Sequence, residues 1–427
     1  MVLESGRVQK LSIDQMNENK RVIVIGAGAS GYFAAIRIKE LCPTAEVVIM
    51  EKTGKTLAKL RISGGGRCNV THDVTGNAQL LEHYPRGKNF LKKVFYRWGV
   101  PETRDWFEKN GVELKVEEDG RIFPVSDSSE TVAQLLEWRA KKLGVELMLN
   151  SSVVTIVPMP KDGFYRWQIN TNTSGSEMAT DVVMAMGGFP KLSQYNMVAS
   201  LGIEIVTPVP SLFTFNINET TLHDLHGVAV VDAKVKLVGY PESYNGPLMV
   251  THWGISGPAV LKTSAWAARW LNEKAYVNTV LVSWVNLSEE ELRQQLNENI
   301  RSNPKKMISN LGLDGVPKRL WDFILSRAET PVSKQSADLS KYEFNKIVEN
   351  VIRMPFEVDG KTTFKEEFVT AGGISLASVD PNTMAIKSQQ GLYATGEVLD
   401  VDGVTGGFNF QAAWSTAAIL AEAIAKQ

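Results

Sequence analysis

The run Val22-Ile23-Val24-Ile25 followed by Gly26-Ala27-Gly28-Ala29-Ser30-Gly31 constrains this chain more than any other stretch. A short β-branched run reads as a buried parallel strand, and the glycines then turn the chain into a helix that starts near Ser30 and runs through Ile38. In this pattern Gly26 permits the tight turn, Gly28 lets backbone approach a pyrophosphate, and Gly31 lets the helix pack close to the sheet. The first helical turn, with Ala29 and Ser30, offers unpaired N–H groups and a positive dipole end to phosphates.

Glycine-rich turns are common and need bind nothing, so the context decides. A second strand, Glu46–Met50, ends at Glu51, twenty residues after Gly31, where an acidic side chain accepts hydrogen bonds from an adenosine ribose. The bland alternative is a doubly wound turn with a surface glutamate. The combination favours an adenine dinucleotide, of a type this stretch leaves open.

With 46 Lys and Arg against 47 Asp and Glu, the net charge is −1, so no overall field draws the chain to nucleic acid or anionic lipid, and neither is expected as a partner. A small-molecule substrate is. Residues 1–20 are polar and read as a leader without the apolar core of a signal peptide. No run reaches transmembrane length, and a cytoplasmic protein is expected. Cys42 and Cys68 are the only cysteines, too few for a disulfide framework or a Cys-rich metal site, and no metal is expected.

The length of 427 residues allows two domains, or one domain with an insertion. Strands and helices alternate over residues 21–190. From about Pro208 to Val238 the chain is rich in β-type and turn residues, and between Glu289 and Asn350 it is helical and charged, with breaks at Pro304, Pro317 and Pro331. Strand and glycine-turn signals return from Phe364, ending in an alanine-rich helix from about Phe410 to Lys426. The expected fold is α/β: a Rossmann-like, doubly wound parallel sheet in two parts, 21–207 and 363–427, interrupted by an inserted β-plus-helical substrate or cap domain over 208–362.

Two further motifs bear on the cofactor. In the segment 391–410 a short strand ends in Gly396-Glu397, an acidic loop with Asp402 follows, and Gly406-Gly407 leads through Phe408, Asn409 and Phe410 into a helix. A flavin uses such a second helix N-terminus, because its reduced form is anionic and a helix dipole stabilises that charge; the alternative is a turn between core strand and terminal helix. In the loop 61–71, Gly64, Gly65 and Gly66 are flanked by Lys59, Arg61 and Arg67. They leave backbone N–H groups and positive charge free for phosphate or flavin oxygens, unless the loop is merely solvated.

On the pieces GAGASG at 26–31, EKTGKTLAKLRISGGGRCNVT at 51–71, THWGISGPAVL at 251–261, TAGGIS at 370–375 and GLYATGEVLDVDGVTGGFNFQAAWS at 391–415, the chain resembles the BaiN-like flavoprotein family, which includes aminoacetone-oxidase-like enzymes. The resemblance spans nearly the whole chain. It implies FAD, with Gly26–Gly31 on the pyrophosphate and Glu51 on the adenosine ribose. Lys59, Ser63–Gly65 and Arg67–Asn69 would lie along the cofactor, and Glu397 with Gly407–Phe410 by its ribityl and isoalloxazine portions. Lys52, Val154, Gly187, Gly188, Gly396, Asp402 and Gly406 complete the expected cofactor set. His72, the Met184–Gly188 turn and Met384–Lys387 depart from the family pattern.

No residue stands out as catalytic. Cys68, near Arg67, is a redox candidate without a CxxC partner, so a packed or cofactor-contacting thiol is the favoured reading. His252, between Thr251 and Trp253, is a candidate proton donor, with a structural histidine as the alternative. His223 and His226 have metal-like spacing but no further ligands nearby. The expected activity is hydride transfer between flavin N5 and a small organic substrate, chiefly as an NAD(P)H-fed reductase of conjugated carbonyl compounds. An oxygen-using amine oxidase and a non-catalytic flavin-binding sensor are the alternatives. A second GxGxxG unit for a nicotinamide dinucleotide is missing, so NAD(P)H is expected to dock transiently.

Overall fold

The computed structural model describes residues 20–160, 163–173, 175–362 and 369–427; all of the expected leader except Lys20 lies outside them. The chain divides into two compact units, Met1–Pro208 with Val369–Gln427, and Val209–Phe368.

The first unit is built on β1 (Arg21–Ile25), α1 (Ala29–Leu41), β2 (Glu46–Met50), α2 (Ala58–Gly66), α3 (Lys88–Phe95), β3 (Glu146–Met148), β4 (Asp181–Met184), β5 (Leu392–Ala394) and α4 (Phe408–Ala425). The strands form one parallel sheet in the order β5-β4-β1-β2-β3. Strand β1 is central, pairing Ile25 with Met184 on one side and with Met50 on the other. Its four residues Val22–Ile25 are buried, as a strand covered on both faces requires. The chain order reverses beside β1, which puts the crevice for a ligand at the carboxyl ends of β1 and its neighbours.

Helices α1 and α4 carry the aromatic core of this unit. Phe33 packs on Trp414 at 5.3 Å and on Trp106 at 4.6 Å between ring centroids. Helix α4 is apolar over most of its length because it is buried all round: every residue from Gln411 to Ala421 is buried. Two antiparallel three-stranded sheets complete the unit, one of Thr71–His72, Arg121–Pro124 and Leu114–Val116, the other of Val153–Pro158, Trp167–Thr171 and Ser176–Ala179.

The second unit is a closed antiparallel barrel with a helical layer. Its strands run in the order Thr214–Ile217, Gly254–Ser256, Ser243–Thr251, Ala229–Leu237, Asn278–Ser283 and Met354–Thr362, and the last pairs back onto the first. Alternation along Ala229–Leu237 sends Ala233, Val235 and Leu237 inward. Of the helices Glu289–Ser302, Lys318–Arg327 and Lys341–Ile352, the first ends just before Pro304 and the second begins at Pro317 and ends ahead of Pro331, while the third starts at the Ser340 cap, away from any proline. Closure of the barrel was not legible in the sequence, because it rests on pairing strands 144 residues or so apart (Phe215 with Lys361 and Asn216 with Gly360).

Candidate functional site

The glycine turn is held by backbone contact. Gly26 has φ +111°, and a Cβ there would lie 2.5 Å from the Ala185 carbonyl oxygen. A Cβ on Gly31 would meet the Gly26 oxygen at 2.0 Å. Gly28 differs: nothing lies within 4 Å of its Cβ position, and it caps α1 without any side-chain hydrogen bond. Gly26 and Gly31 serve the packing, while Gly28 leaves backbone bare in front of the helix end. Glu51 stands opposite, its carboxylate accepting from Ala27 N at 3.0 Å, Thr53 N at 3.0 Å and Thr53 Oγ1 at 2.9 Å.

The return from the far end of the chain meets this turn. Gly396, at φ +73°, lies so close to α1 that a Cβ would strike Ser30 Oγ at 2.6 Å. Next to it, the Glu397 carboxylate accepts from Thr370 N at 3.0 Å and pairs with Lys59 Nζ at 2.8 Å. Gly188 fits against this group, where a Cβ would lie 2.6 Å from Thr370 Oγ1. Residues 30, 59, 188, 370, 396 and 397, distant in sequence, are thereby brought together.

The expected loop after β2 is instead the kinked helix α2. It leaves helical geometry at Ser63 (ψ 148°) and passes through left-handed Gly64 and Gly65. The expectation of free positive charge here needs correction. Lys59 pairs with Glu397, Arg61 with Glu137 at 2.7 Å, and Arg67 with Glu117 at 2.6 Å while stacking over Phe123 at 4.0 Å. What the segment presents is backbone, with open space at Gly65 and Gly66.

Cys68 is fully buried with φ +59°, and burial pushes its thiol up to about 12. It stays protonated, so it is no nucleophile. Cys42 is likewise a free buried thiol, and the two form no disulfide. His252 lies in the second unit, exposed and stacked on His226 at 4.2 Å, while His223 bonds the Ile217 carbonyl at 2.7 Å. Among the described residues no cluster of His, Cys, Asp and Glu is placed to hold a metal ion.

Around the start of α4, several expected cofactor side chains are engaged within the protein. Asn409 clamps both backbone groups of Gly403, accepting at 2.8 Å and donating at 2.9 Å. Asp402, wholly buried, forms a two-pronged ion pair with Arg86. Phe408 stacks on His83 at 4.1 Å and His72 at 4.7 Å, and Phe410 on Trp414 at 5.7 Å. His72 Nδ1 bonds the Gly406 carbonyl, and burial lowers the basicity of its ring. Of the cluster Arg86, His72, His83 and Tyr84, whose hydroxyl donates to Phe408 O at 2.7 Å, only His72 stood out in the sequence, as a departure from the family pattern; no spacing rule connects the group to Phe408, over 300 positions away. Of the remaining expected residues, Lys52 is exposed over the Phe189 ring at 5.7 Å, Val154 is exposed on its strand, and Gly187 turns at φ +75° into open space.

Of the six buried side-chain polar atoms without a hydrogen-bond partner among the described residues, two, Asn69 Oδ1 and Thr370 Oγ1, lie beside these glycine turns. Asn69 Oδ1 lies where a Cβ on Gly407 would approach to 2.8 Å, at the uncapped start of α4, and Thr370 Oγ1 lies beside Gly188. Such atoms are costly unless a bound group satisfies them. With bare backbone at Gly28, Gly65 and Gly187, they fit a long polar cofactor of the FAD type.

This fold and site define a Rossmann-type FAD-dependent oxidoreductase carrying an inserted domain. More particularly, residues 20–423 match the family model of the HI0933-like protein Rossmann domain, and the chain belongs to that family. It is 28% identical over 97% of its length to the whole of a Haemophilus influenzae protein named ribosomal RNA dihydrouridine synthase. It is 26% identical over 95% of its length to a 3-dehydro-bile acid delta(4,6)-reductase of Clostridium scindens, covering 99% of that protein. Among solved structures, a 3-ketosteroid-delta4-(5alpha)-dehydrogenase from Rhodococcus jostii shares the fold with a TM-score of 0.51 at 14% identity, over 96% of this chain and 98% of that one.

The first of these relatives corrects one expectation. Nucleic acid is not excluded as a partner, because a net charge of −1 averages over the whole surface while nucleic-acid contact depends on local charge. No helix among the described residues is long and apolar enough to cross a membrane.

Proposed function

We propose that this protein reduces a carbon–carbon double bond conjugated to a carbonyl, with electrons drawn from NAD(P)H. FAD, when bound, supplies the hydride chemistry, and the protein supplies orientation and electrostatics. The backbone at Gly28 and the first turn of α1 hold the pyrophosphate, and Glu51 holds the ribose. Asn69 and Thr370 bond the cofactor with their otherwise unpartnered oxygens. The N-terminus of α4 directs partial positive charge at the reacting end of the site.

The observation that carries this reading is the uncapped start of α4 at Gly407 with the orphaned Asn69 Oδ1 beside it. The names of two relatives support the substrate class. Uridine has a C5=C6 bond conjugated to a carbonyl, and a 3-dehydro steroid with Δ4,6 unsaturation presents the same grouping in a carbon ring. The class therefore includes a base within RNA as well as a free small molecule.

Anaerobic mixing of the purified yellow holoprotein tests it. NADPH or NADH is expected to bleach the flavin, and a conjugated enone or a uridine-containing rRNA fragment to restore the colour. Bleaching by aminoacetone and not by NAD(P)H would replace the reading with an amine oxidase. A protein that binds FAD but turns over with no reductant would be a flavin-binding sensor.

A further inference from the structure

A cavity of about 540 Å³ opens beside α3 in the first unit, within the size range of small-molecule sites. Three lysines line it, Lys88, Lys93 and Lys387, and no carboxylate does. Lys93 has no ion-pair partner among the described residues. The Lys387 ammonium donates to the Ala377 carbonyl, at 2.7 Å, and the Lys88–Glu82 pair is solvent-exposed, at 2.5 Å. Exposed pairs of this kind are worth little and exchange readily for a better anion.

The first turn of α3 also borders the cavity, and Gly87 caps it without a side-chain bond. Apolar side chains share the lining: Phe90, Leu376, Val379 and Pro381. Cations interleaved with apolar surface suit an anionic group attached to a flat ring. The volume is too large for a lone phosphate. Gly87 ties the cavity to the candidate flavin site, because its Cβ position lies 2.7 Å from Val401, the neighbour of buried Asp402.

We infer that this cavity binds the adenosine phosphate of the nicotinamide dinucleotide that feeds the enzyme. The inference rests on the NAD(P)H-fed reading, and it supplies the docking place that a missing second GxGxxG unit leaves unassigned. Ammonium–phosphate contacts give the binding a strong dependence on charge and salt.

The test uses the FAD-loaded protein and 2′,5′-ADP, a redox-inert nucleotide fragment, by titration calorimetry. Lys93→Glu and Lys387→Glu are each expected to weaken binding about tenfold, a loss on the scale of one charge-assisted contact. Lys92→Glu, on the same helix but outside the cavity, should stay within about twofold. The same variants should raise the KM for NADPH and leave FAD content unchanged. The inference falls if 2′,5′-ADP does not bind, if Lys93→Glu binds it as tightly as the parent, or if these lysines hold an RNA oligonucleotide and not the nucleotide. Should 2′,5′-ADP bind in a lysine-dependent way while neither NADPH nor NADH bleaches the flavin, the cavity stands and the functional reading fails.

Discussion

Arg86 and Asp402, 316 residues apart in sequence, form a two-pronged ion pair with the Asp402 side chain wholly buried and Arg86 only 11% exposed. It pins the start of α3 to the loop that leads into α4, and their backbones form a β-bridge at the same point. Breaking one side of a buried pair leaves an uncompensated charge, so Asp402→Ala should cost about 3 kcal/mol or more. Replacing both, as Arg86→Met with Asp402→Leu, should recover much of that loss. Urea unfolding of the single and double variants checks it.

Gly26 and Gly28, two residues apart, should respond differently to the same methyl group. Gly26→Ala places a Cβ against the Ala185 carbonyl at a positive φ and should destabilise the fold by about 3 kcal/mol, through overpacking and backbone strain together. Gly28→Ala meets nothing in the protein and should cost the fold about 1 kcal/mol as a poorer helix cap. It should still weaken FAD binding about tenfold or more if the pyrophosphate lies against that backbone. Thermal melting with and without FAD separates the two effects.

Alkaline pH should destabilise the first unit. Burial raises the Cys68 thiol from about 9 to about 12 and the Tyr195 phenol to about 12. Both favour the protonated form in the folded state, so their contribution is complete below the unfolded values and is lost as pH rises towards 12. Stability measured from pH 8 to 11 should fall, and less steeply in Cys68→Ala. The native thiol should also resist alkylation at pH 8 until the chain unfolds.

Acid should act on the second unit through Glu343. The Lys334 ammonium, then the Ser340 hydroxyl and N–H, hold its carboxyl at about 2. A depressed value stabilises above the unfolded value near 4.5, and the effect is lost as pH falls towards 2. Ser340 and Glu343 form the capping box of helix Lys341–Ile352. Ser340→Ala should therefore cost about 1 kcal/mol at pH 7 by urea unfolding.

Local signals carried a large part of the site. The strand Arg21–Ile25, the helix Ala29–Leu41 and the strand ending before Glu51 are one continuous stretch, so period, glycine spacing and an acidic terminus all report on the same few turns of chain. The cations of residues 59–67 are paired, not free, for a tertiary reason. Glu117, Glu137 and Glu397 supply the counter-charges, and nothing in the local sequence points to them. The side chains of Asp402 and Asn409 were expected at the cofactor, yet the first holds Arg86 and the second holds Gly403.

By itself the sequence determined the Rossmann-like architecture and the place of the glycine turn, because those follow from hydrophobic period and from positions where only glycine fits. It also determined the family, through motifs spread over nearly the whole chain. Only the tertiary structure decided which polar groups remain unsatisfied, since Asn69 Oδ1 and Thr370 Oγ1 become costly only once packing has removed water from them. The same packing closed the barrel of the second unit and set Lys88, Lys93 and Lys387 around one cavity. Those arrangements depend on contacts across hundreds of residues, which no local pattern encodes.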